Sequence, residues 1–142
     1  MLSPQVRRNA RERAIQFLFG LEFTRYEWDS VVDAFWEESP SRPGVRQYAM
    51  TLIRGVVHNL AGLDADIEAT VKNWTPTRVG QLERNILRVA IFEMRHGADV
   101  PAKVAINEAI EIAKRYGSDD APRFINGVLD RVREEMSRQT VT

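Results

Sequence analysis

Four arginines crowd into seven residues near the start of the chain, Arg7-Arg8-Asn9-Ala10-Arg11-Glu12-Arg13. Guanidinium suits phosphate because its planar fork donates paired hydrogen bonds and stays protonated, where lysine acts as a mobile point charge. On a helix turning about 100° per residue, Arg7, Arg8 and Arg11 fall within an arc of roughly 100°, and Val6, Ala10, Ala14, Phe17 and Leu21 share the adjoining arc. The pattern predicts a helix that buries one side and offers guanidinium groups on its flank to a polyanion. A plain solvated helix face produces the same spacing. A second candidate is Asp120 with Arg123 and Phe124, at the start of the last predicted helix, where a ring beside an arginine suits a stacked base of single-stranded RNA. Phe124 would serve equally as a core residue.

Other chemistry is thinly represented. His58 and His96 have no carboxylate or second histidine at the helical spacing of a metal site, so surface or helix-end positions are expected. Glu108 with Glu111, and Asp119 with Asp120, have spacings that any solvated helix or cap produces, and they nominate no catalytic dyad. Glu93 stands between Phe92 and Met94 in an apolar helix, where burial would demand a hydrogen-bonding partner. Glycine-rich phosphate loops, serine elbows and kinase-like motifs are absent, so the chain is not expected to be an enzyme or to hold a cofactor or metal.

The 20 basic and 20 acidic residues cancel, so any site for a polyanion must be local rather than a property of the whole field. With 142 residues and 44% hydrophobic content, one well-packed domain is expected. Cysteine is absent, which removes thiol chemistry and is compatible with a reducing cytosol. The first residues are polar and arginine-rich rather than signal-like, and no apolar run approaches the roughly 20 residues of a membrane span. The expectation is a cytoplasmic protein.

The elements that must position these residues are all helical. A first helix is predicted from Gln5 to Thr24, and a second carries Trp28, Val32, Phe35 and Trp36 after an Asp29-Ser30 cap. Ser39 to Gly44, with two prolines, reads as a loop. A third helix runs through Val45, Tyr48, Leu52, Ile53, Val56 and Leu60. A break near Gly62 follows, and then a shifted apolar phase through Leu63, Ile67, Val71 and Trp74. A cap at Thr75-Pro76-Thr77 opens a central helix from Thr77 to His96, with Glu83, Arg84, Arg88 and Arg95 on its wetter side. Pro101 opens the next, whose apolar stripe includes Ala105, Ala109, Ile112 and Tyr116 and which Gly117 stops. Ser118, Asp119 or Asp120 caps the last, where Phe124, Ile125, Val128, Leu129, Val132 and Met136 recur at three and four residues. Asn126-Gly127 lies within that spacing and is kept helical. The fold class is therefore all-α, a compact bundle of about seven helices. It reads as one domain over residues 1–142, with halves of about 1–74 and 75–138.

Four segments together resemble the NusB family of transcription antitermination factors. They are the arginine-rich opening, Glu83-Arg84-Asn85-Ile86-Leu87-Arg88-Val89-Ala90, the run from Asp99 to Lys114 with Asp99-Val100-Pro101-Ala102-Lys103-Val104-Ala105-Ile106-Asn107-Glu108 at its head, and Phe124-Ile125-Asn126-Gly127-Val128-Leu129-Asp130. The resemblance implies two packed three-helix subdomains and a nonenzymatic role. In this role the protein binds the boxA element of ribosomal RNA leader transcripts beside NusE, a small-subunit ribosomal protein. NusA, NusG and RNA polymerase complete the assembly. Carried onto this chain, RNA contacts fall on Arg7, Arg8, Arg11, Phe19, Asp120, Arg123 and Phe124, and the NusE surface includes Glu83. Where some relatives have a further arginine and a tyrosine, this chain has Asn9 and Phe19. Thr77 and Arg78 replace acidic residues found in some relatives. A site with three arginines would lose RNA affinity with log salt at a slope near 2, by about 0.7 per phosphate for single strands. Two rival readings are a helical interaction scaffold or homodimer without specific RNA binding, and the NusB-like domain of ribosomal RNA methyltransferases. The absent cofactor loop argues against the second.

Overall fold

The computed structural model describes residues 2–21, 27–72, 79–97 and 99–141. They form seven helices: α1 (Pro4–Leu21), α2 (Trp28–Glu38), α3 (Pro43–His58), α4 (Leu60–Val71), α5 (Gln81–His96), α6 (Ala102–Tyr116) and α7 (Ala121–Val141). Among the described residues there is no strand, and no helix is long and apolar enough to cross a membrane.

Local chemistry sets the boundaries. Proline occupies the first position of α1 and of α3, where a missing N–H costs nothing, and Ser3 Oγ accepts from the Val6 amide to close the first turn of α1. The loop expected over Ser39–Gly44 is shorter than its composition suggests, because Pro43 and Gly44 already belong to α3. The break between α3 and α4 falls at Asn59, three residues before Gly62, which sits inside α4. Asn59 donates its side-chain amide to the Gly55 carbonyl at 2.8 Å while its backbone N–H bonds the same oxygen at 3.1 Å. That competition for a helix carbonyl is what asparagine does better than glycine. Asn126 and Gly127 are helical, within α7. Thr24, Trp74 and the Thr75-Pro76-Thr77 cap lie outside the described residues.

α5 is the hub. It packs against α1, α3 and α4 on one side of the chain and α6 and α7 on the other. Ile86, Leu87 and Ile91 have no exposure, and they join Leu18, Leu52, Ile53, Ile67, Ile112, Ile125 and Leu129 in a continuous core. Gly55 of α3 lets the Phe92 ring of α5 lie against the helix backbone, inside the space that a Cβ would fill. One expectation for this helix is corrected. Arg88 is not on a wet side: it is buried, donating through Nε and Nη2 to Asp64 at 2.7 and 2.9 Å and through Nη1 to Asn85 at 3.1 Å. Arg84 and Arg95 likewise meet Glu68 and Asp66, so a row of acids on α4 answers a row of arginines on α5. Glu83, in the first turn of α5, folds its carboxylate back over Gly80 at the positive end of the helix.

Candidate nucleic-acid interface

The arginines of α1 do not stand free on a flank. Arg7 is only 18% exposed in its side chain, with its guanidinium 5.0 Å above the Tyr48 ring and Nη2 3.9 Å from Asp99. Arg8 is more open, at 42%, but its Nε and Nη2 donate to Glu108 of α6 at 3.1 to 3.2 Å. Glu108's hydrogen bonds, and then its charge, hold the Arg8 guanidinium above its ordinary pKa. Arg13 lies over the Phe35 and Trp36 rings at 4.7 and 5.4 Å and donates to the Ser39 carbonyl, which fastens the end of α2 to α1.

Arg11 corrects the sequence expectation outright. Its side chain is 4% exposed, and its Nε donates to Glu93 at 2.8 Å while Nη1 lies 3.7 Å from Glu108. The position falls at the edge of the apolar arc beside Ala10 and Ala14, so packing α1 against α5 carries the guanidinium inward. Burial alone would lower its pKa, but the hydrogen bond and charge of Glu93 outweigh that and the net direction is upward. Glu93 also accepts from the Tyr48 hydroxyl, which provides the partners its burial demanded. Burial, and then the neighbouring Glu93 carboxylate, pushes the Tyr48 phenol up to about 12. Glu108, expected on a solvated face, is 8% exposed and serves both Arg8 and Arg11. Arg8, Glu108, Arg11 and Glu93 thus alternate in charge from the surface into the core.

The remaining site residues sit around one end of α6. Phe19 is 48% exposed on α1. Glu12, seven residues earlier and therefore on the same side of α1, pairs with Arg115 and accepts from the Tyr116 hydroxyl at 3.4 Å. Asp120 follows Tyr116 by four residues, which confines its Cα to within about 14 Å of Tyr116. Phe124, whose amide donates to the Asp120 carbonyl at 3.1 Å, is half-buried and packed on the core, while Asp120 and Arg123 are exposed. The opening helix and the start of the closing helix are therefore joined through the C-terminus of α6. Tyr116 itself, expected on an apolar stripe, is instead 58% exposed. Its spacing from Ile112 is core-like, but its ring lies at the surface, with the hydroxyl against Glu12 of α1, while Ala113 in the same last turn has no exposure. Glu83 lies away from this end, at the N-terminus of α5. His58 and His96 are both exposed, and the described residues contain no cluster of three metal-ligating side chains.

Comparison with known proteins gives concordant matches. The NusB family profile matches residues 8–134. A transcription antitermination protein NusB of Sorangium cellulosum is 40% identical over 132 residues, covering 93% of this chain and 94% of that relative. The structure of T. maritima NusB superposes with a TM-score of 0.78 at 35% identity, covering 95% of this chain and 94% of the other. A chain in the structure of antitermination factors NusB and NusE in complex with dsRNA gives a TM-score of 0.80 at 23% identity over 94% and 99% of the two chains, a likeness of fold alone.

Proposed function

Because the chain belongs to the NusB family of transcription antitermination proteins, we propose that it binds boxA RNA of ribosomal leader transcripts together with NusE. Acting in the cytoplasm as a binding factor rather than a catalyst, it favours processive transcription within an assembly of NusA, NusG and RNA polymerase. The observation that supports this reading best is the set of exposed cation and aromatic side chains along one side of α1 and at the start of α7. Arg8 keeps its Nη1 edge clear of any described partner, Phe19 offers an open ring, and Arg123 stands in the first turn of α7. Asp120 and Phe124 complete the RNA-facing group. Arg11 supports this surface from beneath, through Glu108, and Arg7 contributes from the side of Tyr48. Glu83 belongs to the surface offered to NusE, beside the acid and arginine rows that bind α4 to α5.

The burial of Arg11 changes the electrostatic expectation. With Arg8 and Arg123 as the open cations of this group, affinity for single-stranded RNA should fall with log salt at a slope of about 1.4, below the value for three arginines. The test is a titration of fluorescent boxA and scrambled RNA across a salt series, with and without NusE. Preference for boxA that strengthens with NusE, and a slope that drops in the Arg8→Ala, Arg123→Ala variant, would support the proposal. A salt-independent response, or identical binding of both RNAs under every condition, would refute it.

A further inference from the structure

Tyr116 is the most exposed large apolar side chain among the described residues, at 58%, and no part of the core accounts for it. Its hydroxyl reaches Glu12 at 3.4 Å, and Glu12 also engages the neighbouring Arg115. The ring is thus tethered at its tip and more than half exposed, against the same side of α1 that carries Arg8 and Phe19. Arg8 lies one turn before Glu12, and Phe19 lies about 10 Å beyond it along the axis. Along α1, the surface therefore carries in order a guanidinium, a ring from α6 tethered at Glu12 and a second exposed ring. A cation beside exposed rings is how single strands are held without base pairing, phosphates on the one and unstacked bases on the others.

From this juxtaposition we propose that Tyr116 is a base-stacking platform, which takes one unpaired base of a single-stranded RNA whose phosphates meet Arg8. It bridges the strand between the α1 edge and the start of α7. The proposal rests on the RNA-binding reading above and adds to it a contact supplied by α6. A protein partner is the alternative occupant of an exposed ring. Arg115, Lys114 and Arg8, at 44, 57 and 42% side-chain exposure, are each paired with an acid, Glu12, Glu111 and Glu108, and it is the clear Nη1 edge of Arg8, one helical turn from Glu12, that favours a phosphate-bearing strand.

The test compares wild type with Tyr116→Ala, Tyr116→Phe and Arg8→Ala in fluorescent boxA RNA titrations over a salt series, each variant checked by thermal melting. Loss of one stacked ring should weaken binding roughly five-fold or more in Tyr116→Ala, while Tyr116→Phe, which keeps the ring, stays near wild type. The salt slope should be unchanged in Tyr116→Ala, since stacking releases no counterion, and reduced in Arg8→Ala. If wild type binds and a folded Tyr116→Ala binds equally well, the platform is refuted while the RNA-binding reading stands. The platform also fails, with RNA binding intact, if Tyr116→Ala lowers NusE affinity alone. If wild type binds no single-stranded RNA, both fail together.

Discussion

Replacing Arg11 with methionine isolates the contribution of the charge pair sealed between α1 and α5. Arg11 and Glu93 are 4% and 1% exposed and 2.8 Å apart. Methionine keeps the apolar stem of Arg11 but leaves Glu93 with only the Tyr48 hydroxyl and strips Glu108 of its inner partner. An uncompensated buried carboxylate should cost about 3–5 kcal/mol, which for a chain of this size lowers Tm by roughly 10–20 °C. The Glu93→Met variant should cost a similar amount by stranding the guanidinium. Combining the two removes both charges and leaves two apolar side chains of similar volume, so the double variant should fall only about 2 kcal/mol below wild type. Urea unfolding of the four proteins gives the coupling directly, and a favourable coupling above about 3 kcal/mol is expected for groups in direct contact. A loss of less than about 1 kcal/mol in Arg11→Met, or a double variant as unstable as the sum of the singles, would overturn the reasoning.

Two further outcomes follow from the packing around this pair. Gly55→Ala places a Cβ inside the Phe92 ring; helix propensity favours alanine by about 1 kcal/mol, but overpacking at a close helix contact costs about 1–3, so net destabilisation is expected, relieved in Gly55→Ala, Phe92→Ala relative to the sum of the singles. For Tyr48, the folded phenol titrates near 12 against 10.0 unfolded. Its contribution is intact below the unfolded value and disappears as pH climbs through the folded one, so urea midpoints of wild type should fall more steeply across that alkaline window than those of Tyr48→Phe.

Most of the architecture was readable because local signals agree with one another. Apolar residues at three and four spacing in α3, α5, α6 and α7, with proline opening α3 and preceding α6 and glycine following α5 and α6, mark helices whose burial follows the same stripe. Glu93 was readable as a buried acid needing a partner, since its neighbours are apolar. Which group meets it was not, because Arg11 lies 82 residues away and only the docking of α1 on α5 brings them together. The same applies to Arg8 and Glu108, separated by 100 residues, whose spacings on their own helices look solvated. Arg88 misled for a related reason: a charge on a helix edge reads as wet until a second helix supplies its counter-charge. Tyr116 misled in the opposite direction, because four-residue spacing from Ile112 does not report that the ring lies at the surface with its hydroxyl against Glu12 of another helix. At Asn59, side-chain competition for a carbonyl ended a helix that glycine at position 62 could tolerate.

The alternation of Arg8, Glu108, Arg11 and Glu93 has a consequence for recognition. A guanidinium already answered by an acid has little long-range pull, so most transcripts in a crowded cell pass such a surface without being captured. On the RNA-binding proposal above, a strand is retained only when it brings close-range complementarity, a base that fits a ring or a second protein that extends the surface. Local neutrality thereby makes discrimination among sequences depend on contact rather than on attraction at a distance.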